Sequence, residues 1–231
     1  MNKNLIISSV GDNSLHEKWI TNEKNYDIFL IYYGNNDEIY EKYKNNCDYI
    51  VRNSGEKGKI YFNFVKNNLE KIKNYEVIWQ PDDDIDIDVT SINNLFKIHK
   101  KYDLWLSQPS IDGFVSHSIL KKENDSILRY TNFVEVLCPM FSTETFLKLY
   151  ETWDYNYSSW GLDFLWPKLL GYPMNKIAII DKITAIHTRP PGHNNSRYPK
   201  DPMIELQEIV HKYGLILNQV TYSKVYNNDF Y

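Results

Sequence analysis

The chain has 231 residues, with 26 Lys and Arg against 30 Asp and Glu and a formal net charge of -4. Its basic residues are dispersed, which excludes a nucleic-acid binder built on a clustered basic face. The length suits one fairly large domain with a single core, and no apolar stretch approaches the roughly 18 residues that a membrane span requires.

Only two cysteines occur, Cys47 and Cys138, both among apolar residues. That argues against a disulfide scaffold and for a reducing compartment. The apolar run within residues 1–10 is too short for the core of a signal peptide. A cytoplasmic protein is expected, with peripheral contact at the inner face of the membrane left open. The 19 Tyr and 6 Trp suit surfaces that stack on sugars and bases, although the abundance of Asn, Lys, Ile and Tyr reads more simply as a composition bias.

Short apolar runs alternate with helical patterns, the signature of an α/β domain. Strands are predicted over residues 5–10, broken by Gly11-Asp12-Asn13-Ser14, then over 28–33 and, briefly, over 49–51. Tyr61, Phe64, Val65, Leu69 and Ile72 recur at three- and four-residue spacing and predict an amphipathic helix over 59–72. The apolar run 75–79 reads as a central strand buried on both faces, ended by Pro81. Thr90 or Ser91 is expected to cap a helix carrying Ile92, Leu95 and Phe96. Further strands are predicted over 104–107 and 134–141, followed by a helix that Ser142 or Thr143 starts. A loop rich in Tyr, Asn and Ser leads to Trp160-Gly161-Leu162-Asp163 and a short helix that Gly171 stops. Residues 177–180 read as a strand, and 187–195, with its Pro-Pro-Gly, as irregular. In the last helix Asp201 caps, Pro202 takes the first position and Gly214 closes. One domain over residues 1–231 is expected, with a central, mostly parallel sheet flanked by helices.

Five Asp fall within residues 82–88, directly after the buried strand. Carboxylates so close repel one another unless a cation sits among them, and hard oxygen ligands favour Mg, Mn or Ca. Open α/β sheets also bind ligands beyond the carboxyl ends of their strands. Asp86-Ile87-Asp88-Val89-Thr90 fits a second pattern, the D-x-D-x-T of haloacid-dehalogenase-type phosphatases, with Asp86 and Asp88 as its acids. In that family the first Asp stands at the strand end, whereas three other Asp and a Pro intervene here.

Four ordered motifs carry a resemblance. Pro81-Asp82-Asp83-Asp84-Ile85 resembles W-D-E-D-L, and Leu106-Ser107-Gln108-Pro109-Ser110-Ile111-Asp112 resembles I-S-Q-P-A-L-D. Phe133-Val134-Glu135-Val136-Leu137-Cys138-Pro139-Met140-Phe141-Ser142 is similar to W-V-E-x-x-A-P-V-F-S, and Trp160-Gly161-Leu162-Asp163-Phe164 reproduces W-G-L-D-F. Ile179-Ile180-Asp181 with Ile186-His187 adds a weaker match to V-V-D…V-H. Together they resemble a domain family of bacteria and plants of unassigned function, related to the GT-A glycosyltransferases. The chain departs from it in having Gln80-Pro81 before the acids and a shorter segment between Ile111 and Phe133, where an acceptor loop could lie.

The resemblance implies a GT-A-like nucleotide-diphospho-sugar transferase fold and a metal-dependent glycosyltransferase. The donor would be a nucleotide sugar, a UDP-sugar by the commonest usage of the fold. The acceptor would be a glycan or a lipid-linked sugar, as in bacterial surface polysaccharide synthesis. Asp82 and Asp84 would hold ribose and metal, with Asp83 beside them, and His187 would close the metal site. An imidazole among carboxylates favours Mn over Mg. Asp163 would take the acceptor's proton, kept ionised by the dipole at a helix start, and Trp160 would offer a ring to the acceptor sugar. Lys59 would offset diphosphate charge, Ser8 and Asp12 would lie near the base, and Gln108 and Glu135 would orient donor or acceptor. Arg189 and His193 belong to a loop able to fold over the diphosphate. A non-catalytic sugar- or calcium-binding module remains an alternative reading, as does the phosphatase.

Overall fold

A computed structural model describes residues 2–190 and 198–226. Its centre is a ten-stranded sheet in which β1 (Asn4–Val10), β2 (Tyr26–Tyr32), β3 (Tyr49–Arg52) and β4 (Val77–Trp79) run parallel in the order β3-β2-β1-β4. β8 (Met140–Ser142) then runs antiparallel between β4 and β6 (Leu106–Gly113). β6 pairs in parallel with β9 (Ile177–His187), so it shares the direction of the first four strands. β7 (Ser126–Thr131) and β10 (Thr221–Tyr226) add antiparallel pairs beyond β9, and β5 (Ile85–Asp86) pairs antiparallel with the end of β9. The sheet is therefore mostly parallel, as expected.

Side chains alternate along a strand, so each strand feeds two cores. Ile6 and Val10 of β1 join Ile28, Leu30, Val77 and Trp79 on one face, covered by α1 (Asp37–Lys44) and α3 (Val89–Lys101). Leu5 and Ile7 join Phe29, Ile31 and Ile78 on the other, under α2 (Lys57–Ile72), α4 (Thr143–Leu149), α5 (Leu162–Leu169) and α6 (Pro202–Tyr213). The helix ends follow elementary capping. Asn36 accepts from two N–H groups of α1, Ser142 caps α4, and Asp201 caps α6, which Gly214 closes in the left-handed region.

Several expectations need correction. Asp88, not Thr90 or Ser91, caps α3, its carboxylate accepting from Ser91 N at 2.9 Å. Residues 134–139 form no strand, because their carbonyls are spent across the acidic turn: Gln80 N–H donates to Pro139 O and Asp82 N–H to Leu137 O, both at 2.9 Å. β9 runs on to His187, so that residue ends a strand rather than opening a loop. α1, β5, β7 and β10 come in addition to the predicted elements, although Ile39, Tyr40 and Tyr43 of α1 do share one apolar face. Among the described residues no helix is long and apolar enough to cross a membrane.

Candidate active site

The acidic turn leaves the carboxyl end of β4, the edge where parallel α/β sheets bind ligands. Its three leading carboxylates part company at once. Asp83 turns back to the end of β1, where it accepts from Gly11 N at 2.7 Å, Tyr33 OH at 3.1 Å and Arg189 at 3.2 Å. Burial pushes its pKa up, against the pull of those donors. Asp82 meets Lys57 at the start of α2 at 2.5 Å, yet burial still lifts it to about 6. Asp84 faces His187, Oδ2 lying 3.3 Å from Nε2, while its Oδ1 is buried without a partner.

The strand pairing explains this meeting. Ile85 of β5 lies opposite His187 of β9, and Thr188 donates to Asp84 O through both N–H (3.1 Å) and hydroxyl (2.8 Å). Two segments a hundred residues apart are thereby stitched side by side. Gly113 makes room for them: its φ is +80°, and a Cβ there would stand 2.4 Å from His187 O. Nδ1 of His187 lies 2.7 Å from Phe114 O. A carbonyl only accepts, so Nδ1 carries the proton, and in the neutral ring Nε2 turns its lone pair to Asp84. Burial works against protonation of the ring, but the hydrogen bond and charge of Asp84 outweigh it and raise its pKa. With the proton off Nε2, its lone pair and the orphaned oxygen of Asp84 form a donor set that suits a divalent cation.

Of the three expected metal ligands, two meet and one does not. Asp82 is turned to Lys57, and among the described residues no three His, Cys, Asp or Glu side chains form a metal cage by themselves. The lysine at the turn is Lys57, not Lys59, whose ammonium pairs with Asp154. Helical spacing decides between them, since residues two apart on α2 face different ways. Lys57 could have been read only by knowing which face of α2 meets the turn.

Asp163 is 7% exposed, and burial together with the charge of Glu135 lifts its pKa to about 7. The expected dipole effect is present, in backbone N–H groups that lower it, but burial wins. Nor is Asp163 the helix cap: Gly161 takes that place with φ +90°, and Asp163 Oδ1 accepts from Phe164 N at 3.1 Å. Glu135 is also buried, with Oε2 unpartnered and its pKa raised by burial. Charges of His187, Asp82 and Lys57 act on it, so it links the acidic turn to Asp163. Gln108 positions Glu135, its Oε1 accepting from Glu135 N at 2.5 Å.

The remaining expected residues are dispersed around this centre. Ser8 is buried with its hydroxyl donating to Pro81 O at 2.8 Å, which ties β1 to the turn. Asp12 accepts from Tyr32 OH near the mouth of β1. Arg189 bridges Asp83 and Asn13 O, so this end of its loop does reach the turn. Trp160 is 41% exposed beside the Asp163 helix. His193 lies outside the described residues. Asp86 pairs with Lys18 at 2.6 Å and Asp88 caps α3, so both phosphatase-pattern acids have structural partners.

No protein-family model matches the chain, and no curated protein matches it in sequence. Solved structures do match. GalNAc-T7 with UDP, GalNAc and Mn2+ aligns at TM-score 0.66 and 12% identity over 92% of this chain and 50% of that one. S. aureus TarS 1-349 with UDP-GlcNAc aligns at 0.58 and 15% over 91% of this chain and 65% of that one. A protein of Desulfovibrio desulfuricans G20, provisionally assigned as a nucleotide-diphospho-sugar transferase, aligns at 0.50 and 10% over 92% and 99%. The chain thus spans half to two thirds of the first two proteins. With the acidic turn at the carboxyl end of β4, the fold is that of the GT-A nucleotide-diphospho-sugar transferases.

Proposed function

We propose that the chain is a glycosyltransferase that moves a sugar from a nucleotide-diphospho-sugar donor to a hydroxyl acceptor, with a divalent cation held by Asp84 and His187. One observation carries this reading: the buried, unpartnered Asp84 Oδ1 beside an imidazole whose Nδ1 is tied to Phe114 O. When bound, the cation would act as a Lewis acid toward the charge that grows on the leaving diphosphate. Lys57 places a second positive charge beside Asp82, and Arg189 a third beside Asp83.

Asp163 takes the proton of the acceptor hydroxyl. A carboxylate that titrates near 7 is better matched to this task than an ordinary one, because it holds the proton more tightly once it has it. Glu135, between the turn and Asp163, meets hydroxyls of the transferred sugar or the acceptor. The UDP and Mn2+ of the GalNAc-T7 structure and the UDP-GlcNAc of the TarS structure, in proteins of the same fold, support a UDP-sugar and Mn as the first probes. A glycan or lipid-linked acceptor, in surface polysaccharide assembly, fits the exposed Trp160 ring beside the base.

Thermal shift with UDP and other nucleoside diphosphates, with and without Mn, tests the reading. A ligand at 100 times its Kd adds about 2.7 kcal/mol of stability. The expected result is stabilisation by a nucleotide only when Mn is present. Stabilisation by no nucleotide in either condition would overturn the proposal, and metal binding without nucleotide binding would point to a non-catalytic module.

A further inference from the structure

Glu205 of α6 has no part in the machinery above, yet it is a carboxylate 3% exposed. Its two oxygens accept from two successive backbone N–H groups of another segment: Tyr157 N to Oε1 at 3.0 Å and Ser158 N to Oε2 at 2.9 Å. That segment leads directly into the Asp163 turn. It is braced internally as well, since Asn156 accepts from Ser159 N at 2.8 Å and donates to Trp160 O at 2.9 Å. The turn's own cap, Gly161, sits against the same helix: a Cβ there would stand 3.1 Å from Leu206 and 3.4 Å from Ile209. Gly161 O then accepts from Leu165 N at 2.9 Å, which starts α5 with Asp163 in its first turn.

A buried carboxylate is a costly way to anchor a surface segment, because its desolvation must be offset by hydrogen bonds of good geometry. Apolar packing would suffice for stability alone. What the bidentate arrangement adds is direction: it fixes two adjacent N–H vectors, and with them the path of the chain toward Trp160 and Asp163. We infer that Glu205 is a positioning residue, clamping residues 157–158 so that Trp160 and Asp163 are held in fixed relation to the acidic turn. The inference rests on the proposed role of Asp163, and α6 thereby becomes part of the site's support rather than a C-terminal appendage.

Glu205→Gln keeps the size of the side chain but turns one acceptor into an NH2 group that opposes a backbone N–H. Glu205→Asp keeps the charge on a shorter arm and serves as the second variant should the first fold poorly. Hydrogen exchange is measured on the amides of Tyr157 and Ser158 and on those of residues 160–164, alongside kcat of transfer and KM for donor. In Glu205→Gln all these amides are expected to exchange about tenfold faster, as a lost hydrogen bond of about 1.4 kcal/mol predicts. Transfer kcat should fall about tenfold, since misplacing a reacting group by an ångström costs up to about 100-fold, with donor KM within about twofold because the acidic turn is untouched. Glu205→Asp should fall between the two on both readouts. Faster exchange confined to Tyr157 and Ser158, or an unchanged kcat per folded molecule, would overturn the inference. Exchange needs no substrate, so a wild-type protein that transfers nothing would sink the proposed function while the exchange data still decide on the clamp.

Discussion

Two acid–base pairs hang from β9, and they end differently. Near the middle of the strand, Asp181 is 0% exposed and fully engaged. It accepts from Arg129 Nε at 2.8 Å, from the second guanidinium arm at 3.0 Å, from Glu123 N at 3.0 Å and from the Ser126 hydroxyl. At the strand's end, His187 faces Asp84, whose second oxygen is buried and bonded to nothing. Each pair has a buried member, Asp181 in one and His187 in the other, so burial does not distinguish them. Incompleteness sets them apart: Asp181 is satisfied on four sides while Asp84 keeps one oxygen unpartnered, and that orphaned oxygen supports the proposed cation site.

The strongest test of that distinction uses a third carboxylate, the buried Asp163. Asp163→Asn should lower transfer by about 100- to 10,000-fold, the usual range for a general base, with donor binding kept. In the wild type the base must be ionised to work, so kcat/KM should climb as pH rises through about 7 and level off above it. The asparagine variant should lose this dependence, and a variant that retains transfer would remove Asp163 from the mechanism.

Asp181→Ala probes the satisfied pair. It takes from the buried Arg129 its fully buried partner, leaving Glu123 and Lys121 O, and should cost about 3 kcal/mol of stability, read in denaturant melts, with activity per folded molecule nearly unchanged. Asp84→Asn should do the reverse. Loss of the proposed cation should lower turnover by about 100-fold, and Mn should no longer promote nucleotide binding. The melting temperature should hold or rise, because a carboxylate with one buried, unsatisfied oxygen is gone. If Asp84→Asn instead unfolds the chain and Asp181→Ala abolishes metal response, the comparison is inverted.

The smallest effect is expected within the acidic turn itself. Asp88→Ala removes the cap of α3 and should cost about 1 kcal/mol in a thermal melt, leaving transfer intact. A large loss of activity there would revive the phosphatase pattern of Asp86 and Asp88.

Much of the frame was legible in the residues. Continuous apolar runs marked β1, β2 and β4, helical spacing marked α2 and α3, and Asp201, Pro202 and Gly214 bounded α6, because each of these signals acts within a few residues of itself. The position of the acids after a buried strand likewise marked one edge of the sheet. Which acid does what was another matter. Asp82, Asp83 and Asp84 are chemically alike, and their separate fates depend on Lys57, Gly11 with Arg189, and His187, partners brought from three distant segments. Ser8 and Lys59 show the same limit, since each spends its polar group on a tie to a distant segment, Pro81 O and Asp154 respectively.

The sequence alone determined an α/β chain with an acidic turn at a strand end and an aspartate at a helix start, since periodicity, caps and breakers are local physics. Only the tertiary structure decided that β5 pairs with β9, that Asp84 therefore meets His187 with one oxygen unfilled, and that burial rather than the helix dipole governs Asp163. Partners in space, not neighbours in sequence, set the solvation and charge that make a carboxylate a ligand, a base or a cap.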